Sequence, residues 1–148
     1  MTESARALGL HHVAIRAVDF EATIAFYTRA LGFTVHYRFA VPGRIDRAAF
    51  LDAGDGRYVE VFGAGSTVQA EGRRRRPDED RTEGALLHFC LRVADVATAY
   101  ARALAEGAAP RIASRAVTLG GEPPAEVEVA FVTGPNGEVI EFFRGERI

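Results

Sequence analysis

Residues 10–19 and 86–95 carry the same pattern, and this repetition constrains the fold more than any other feature of the chain. The first stretch is Leu10-His11-His12-Val13-Ala14-Ile15-Arg16-Ala17-Val18-Asp19; the second is Leu86-Leu87-His88-Phe89-Cys90-Leu91-Arg92-Val93-Ala94-Asp95. Counting from His12 and His88, each has an aliphatic residue at +3, Arg at +4 and Asp at +7. The halves also close alike. Asp55-Gly56-Arg57-Tyr58-Val59-Glu60-Val61-Phe62 matches Asn136-Gly137-Glu138-Val139-Ile140-Glu141-Phe142-Phe143, with Glu four residues after a turn glycine in both. A period of this kind implies two copies of one supersecondary unit.

The segments between these marks correspond as well. His12 to Val18 is short and apolar-rich, as a strand is. Asp19 is placed to cap a helix in which Ile24, Phe26, Tyr27 and Leu31 recur at helical spacing, and Gly32 ends it. Strands follow at 33–39, 48–51 and 58–62, with Pro42-Gly43 as a turn. In the second half Asp95 caps a helix through Val96, Ala99, Tyr100, Ala103 and Leu104 that stops at Gly107. Strands then cover 110–117, 127–133 and 138–143. The expectation is an α+β chain of two tandem βαβββ modules, 10–63 and 86–144, joined by a linker loop at 64–85. That linker holds Arg73-Arg74-Arg75-Arg76 followed by Asp78-Glu79-Asp80, charges that nearly cancel, so a solvated loop is expected rather than a basic patch.

Composition narrows the function. The formal net charge is −2 over 148 residues, which points to neither a nucleic-acid nor an anionic-membrane partner. All 18 basic residues are Arg, so Schiff-base and Lys general-base chemistry are out. The lone Cys90 excludes an intrachain disulfide and a Cys-rich zinc site, and its apolar surroundings suggest a small buried hydrophobe. Met1 to Gly9 lacks an apolar stretch of signal-peptide length, and no run approaches the roughly 18 apolar residues of a membrane span. A cytoplasmic protein is the expectation.

Strand alternation places His12, Ala14 and Arg16 on one face, and likewise Tyr58, Glu60 and Phe62. The same holds for His88, Cys90 and Arg92, and for Val139, Glu141 and Phe143. A Glu turned inward costs several kcal/mol unless a cation or donor compensates it. That cost recurs at the same place in both halves. Two imidazoles and two carboxylates suit one borderline or hard divalent ion (Zn, Ni, Co, Fe or Mn) with water positions left open. His11 faces away by alternation, and His36 has no motif around it.

These marks resemble the vicinal oxygen chelate superfamily, the group of glyoxalase I, methylmalonyl-CoA epimerase, fosfomycin- and bleomycin-resistance proteins and extradiol dioxygenases. The resemblance rests on His12-Val13 with Asp19, Phe26-Tyr27, Leu31-Gly32-Phe33 and Val59-Glu60-Val61. In the second half it rests on His88-Phe89 with Asp95, Glu106-Gly107, Pro135-Asn136-Gly137 and Ile140-Glu141-Phe142. It implies two modules paired into a cupped, mostly antiparallel sheet around a metal held by His12, Glu60, His88 and Glu141. The full His-Glu-His-Glu set is similar to bacterial-type glyoxalase I. Epimerases of the family usually carry Gln at the place of Glu60, ring-cleaving dioxygenases use two His and one Glu, and the metal-free drug-binding members lack the ligands.

The resemblance therefore implies a metal-dependent lyase or isomerase. The metal would act as a Lewis acid on a small chelated substrate while Glu141 or Glu60 takes a proton next to a carbonyl. Arg16 and Arg92 would bind an anionic group of the substrate, Arg16 at the offset where glyoxalase I enzymes bind a glutathione carboxylate. Tyr58 and Phe62 would be cavity walls. A homodimer is implied too. Two other readings stand beside this one: an Fe(II) dioxygenase, and a metal-free protein that binds a drug or metabolite.

Overall fold

A computed structural model describes residues 8–67 and 88–145. Most of the expected linker, 68–85, lies outside the described residues. The element order is β1 (His12–Arg16), α1 (Phe20–Leu31), β2 (Thr34–Val41), β3 (Ile45–Asp52), β4 (Tyr58–Phe62), then β5 (Phe89–Arg92), α2 (Val96–Ala105), β6 (Ala109–Leu119), β7 (Ala125–Thr133) and β8 (Val139–Gly145). Contacts divide the chain into two compact units, one drawn from 8–28 and 32–67, the other from 29–31 and 88–145.

Each unit holds one four-stranded sheet, ordered β1-β4-β3-β2 and β5-β8-β7-β6. In both, the first strand pairs in parallel with the last, and the other two pairings are antiparallel. The parallel pair follows from the helix between, which returns the chain to the sheet in the same direction. The duplication extends to single residues. Ala14 lies opposite Glu60, and Cys90 opposite Glu141. The N–H of Ala17 donates to the Phe62 carbonyl at 2.8 Å, and that of Val93 to the Phe143 carbonyl at 3.0 Å.

Both helices start where an aspartate satisfies a free backbone N–H. Asp19 accepts from Ala22 at 2.9 Å and Asp95 from Thr98 at 2.7 Å, each through a carboxylate oxygen. α1 buries Phe20, Ile24, Tyr27 and Ala30, one stripe at helical spacing. Its first turn meets the sheet where Arg38 of β2 forks onto Glu21 at 2.9 and 3.2 Å, and where the guanidinium groups of Arg38 and Arg47 lie over the Phe20 ring. Gly32, at φ 73°, turns the chain out of the helix in a conformation that other residues adopt at a cost. α2 packs on β6, β7 and β8 and buries Val96 and Ala103.

One face of each sheet carries a buried apolar patch. In the first it is Ala49, Leu51, Val59 and Val61; in the second, Ala130, Val132, Ile140 and Phe142, all buried. Register shows these to be equivalent fours: Ala49 pairs with Val61 and Leu51 with Val59, as Ala130 pairs with Phe142 and Val132 with Ile140. Burying each large side chain contributes about 1.5–3 kcal/mol. Because alternate residues point to opposite faces, filling this face presents Glu60 and Glu141 on the other one.

Candidate metal centre: a histidine–glutamate pair in each unit

The first pair is His12 with Glu60. Their strands are parallel neighbours, and the residue opposite Glu60 is Ala14, whose small side chain leaves room on that face. His12 Nε2 lies 3.1 Å from Glu60 Oε2. Glu60 is only 8% exposed and is the one buried charged residue among the described residues. Burial holds its carboxyl above the usual carboxylate range, and the nearby His12 and His11 offset this in part.

The second pair reproduces the first. His88 Nε2 lies 3.0 Å from Glu141 Oε2. Cys90 occupies the place of Ala14, and its thiol donates to the Glu141 carboxylate. Desolvation of the sulfur and the neighbouring negative charge push the thiol up to about 12, so it stays protonated and inert as a nucleophile. The residue as a whole is exposed, which corrects the expectation of a buried hydrophobe: it belongs to the glutamate's face of the sheet, not to the core.

A phenylalanine stands at the same place in each unit. Phe50 lies across from Glu60, and Phe131 across from Glu141. The Phe50 ring meets His12 edge to face at 5.6 Å, and the Phe131 ring meets His88 at 5.5 Å. Sequence reasoning missed both. The signal was present: Ala49-Phe50-Leu51 and Ala130-Phe131-Val132 each stand at the same distance, ten residues, before the glutamate.

The units differ in what surrounds the pair. In the first, rings of His11, Phe50 and His36 all lie within 5.7 Å of the Tyr58 ring, and Phe39 and Tyr37 continue the array beyond Phe50. His11 and His36 were discounted from the sequence, and the structure brings both to this face. Alternation failed for His11 because β1 begins only at His12. The His11 carbonyl accepts from the Tyr58 N–H at 2.9 Å, and its ring turns onto Tyr58 and His12. Arg16 stands opposite Phe62, and Arg92 opposite Phe143, so the two arginines hold equivalent places at the ends of β1 and β5. Phe62 is buried and Tyr58 half-buried.

Each pair offers one imidazole nitrogen and one carboxylate oxygen within 3.1 Å of each other, which are donors of the kind a borderline divalent ion takes. Among the described residues, no three or more His, Cys, Asp or Glu are grouped so as to hold a metal. The donors fit such an ion two by two. No described helix is long and apolar enough to cross a membrane.

Comparison with known proteins agrees with this architecture. The family model described as the Glyoxalase/Bleomycin resistance protein/Dioxygenase superfamily matches residues 9–142. An uncharacterised protein of Bacillus subtilis, YwbC, is 29% identical over 138 residues, 91% of this chain and 96% of that protein. A glyoxalase family protein from Enterococcus faecalis superposes with a TM-score of 0.66 at 26% identity, over 93% of this chain and 98% of that one. Glyoxalase I of Zea mays, as its V278E variant, also superposes at 0.66, with 21% identity and 93% of this chain covered. The chain spans 45% of the length of that maize enzyme.

Proposed function

The chain belongs to the Glyoxalase/Bleomycin resistance protein/Dioxygenase superfamily, and from that premise we propose that it is a divalent-metal-dependent lyase or isomerase of the glyoxalase I kind. The observation that carries this reading is the recurrence of a close His–Glu pair at the same register in both units. A superfamily member that only sequesters a ligand has no need of two buried-side carboxylates facing imidazoles. Leaving charge on a desolvated Glu60 is costly, and a bound cation offsets that cost.

In this reading His12, Glu60, His88 and Glu141 hold one ion (Zn, Ni, Co, Fe or Mn). When bound, the ion supplies Lewis-acid polarisation of a substrate carbonyl. The remaining chemistry belongs to the side chains. Glu60 or Glu141 takes the proton from the carbon next to that carbonyl and returns it to a neighbouring atom. Arg16 and Arg92 bind an anionic part of the small substrate. Tyr58 and Phe62 provide apolar wall beside the first pair. The acting form is a homodimer.

The test is metal analysis of the purified chain, followed by assays of hemithioacetal isomerisation and acyl-CoA epimerisation. Bound divalent metal with chelator-sensitive turnover of either substrate is expected. Turnover that survives both Glu60→Gln and His88→Ala would sink the proposal.

A further inference from the structure

His12 has two ring nitrogens, and the structure gives each a different partner. Nε2 faces Glu60 Oε2 at 3.1 Å. Nδ1 lies 2.9 Å from His11 Nδ1. A neutral imidazole carries one N–H and one lone pair, so a bond between two Nδ1 atoms needs one ring to donate and the other to accept. With no ion bound, the negative Glu60 carboxylate 3.1 Å away favours the His12 proton on Nε2, and the Nδ1–H of His11 then donates to His12 Nδ1. To ligate through Nε2, His12 must present a lone pair there and carry its proton on Nδ1. The bond to His11 must then run the other way.

We propose that His11 is the positioning residue for His12, whose shared Nδ1···Nδ1 hydrogen bond reverses direction when His12 exchanges Glu60 for a metal ion. The inference rests on the metal-binding reading above. The protons balance. The Nε2 proton of His12 leaves to solvent, the Nδ1 proton of His11 passes to His12 Nδ1, and His11 Nε2 takes one proton from solvent. Both rings stay neutral before and after. His11 can accept that outer proton because it is exposed. Its ring is held for the exchange by Tyr58 at 5.2 Å and Phe50 at 6.1 Å, and its carbonyl by the Tyr58 N–H.

The second half has no such device in its sequence. The residue before His88 is Leu87, and all the remaining histidines lie in the first half. The duplication has thus diverged at one position, leaving one ligand with an imidazole neighbour and the other without.

The test combines nitrogen-15 NMR of the imidazoles with Zn2+ titration of the full chain. The expected result is His12 protonated at Nε2 without metal and at Nδ1 with Zn2+, with His11 changing in the opposite sense. His11→Leu, which copies the second half, should bind Zn2+ roughly 10–100-fold more weakly. His11→Asn should recover most of that loss, since its amide can either donate or accept at the same place. Tautomers that do not change with Zn2+ overturn the proposal, as does His11→Leu binding within twofold of wild type. Should His11→Leu fail to fold, the wild-type tautomers and His11→Asn decide. A wild-type chain that binds no Zn2+ sinks the functional reading itself, a result distinct from equal binding by wild type and variant.

Discussion

Glu60 is a buried carboxyl group whose charge works against stability. Burial raises its carboxyl above 4.5, so the folded chain holds that proton more tightly than the unfolded chain. The sign follows: as pH rises from about 4.5 through the folded value, the unfolded state loses its proton first, and stability falls. The metal-free Glu60→Gln variant should lack this fall. Its melting temperature at neutral pH should equal or exceed that of the metal-free wild type, while its metal affinity drops at least about tenfold. Thermal melts from pH 4 to 8 with and without Zn2+ check both halves of this expectation; a metal-free variant that melts well below wild type at pH 7 would contradict it. At this scale the glutamates and their histidines were legible in the sequence because they occur twice. His11 was not, since alternation gives no guidance for the residue just outside a strand. Phe50 and Phe131 escaped notice for another reason: a phenylalanine in an apolar strand carries no sign of which face it serves.

The secondary-structure elements were the most legible part. Helix starts at Asp19 and Asp95 and the turn at Gly32 have local causes, and local causes leave marks in sequence. Asp19→Ala should cost about 1 kcal/mol by removing the acceptor for the Ala22 N–H, read from denaturant midpoints. Asp95 adds a pH dependence. Its carboxyl is held below the usual range by the backbone N–H of Thr98, so its contribution is complete above 3.8 and is lost as pH falls through the folded value. Asp95→Asn should remove that part of the acid sensitivity, as acid titrations followed by circular dichroism would show. Strand ends were less legible. β6 and β7 run from Ala109 to Leu119 and from Ala125 to Thr133, longer than their β-branched cores suggest. Alanine has little strand preference of its own, and pairing with a neighbour extends the ladder through it. In the core, Leu51→Ala should cost about 2–5 kcal/mol, because the side chain is fully buried and its removal leaves a cavity. A loss below about 1 kcal/mol would show that this face packs loosely.

At the scale of the whole molecule, the duplication accounts for the fold. Two sheets of identical order, with identical register between first and last strands, follow from one sequence pattern written twice. Membership of the superfamily follows from the same pattern. Substrate identity does not, because side chains such as Arg16, Arg92, Tyr58 and Phe62 serve equally well as structure or as recognition. The asymmetry between the halves carries information of its own. The first glutamate is desolvated and faces a histidine pair, whereas the second is hydrogen-bonded by the Cys90 thiol. Cys90→Ala, which copies Ala14 of the first half, should leave the fold intact and alter metal affinity by less than Glu141→Gln does. In the proposed function both pairs serve one ion. The most direct test is the amount of divalent metal bound per chain at saturation, by equilibrium dialysis and elemental analysis, for wild type, Glu60→Gln and Glu141→Gln. One ion per wild-type chain and weakened binding in each variant are expected; two ions per chain, none, or full retention in either variant would contradict the proposed function.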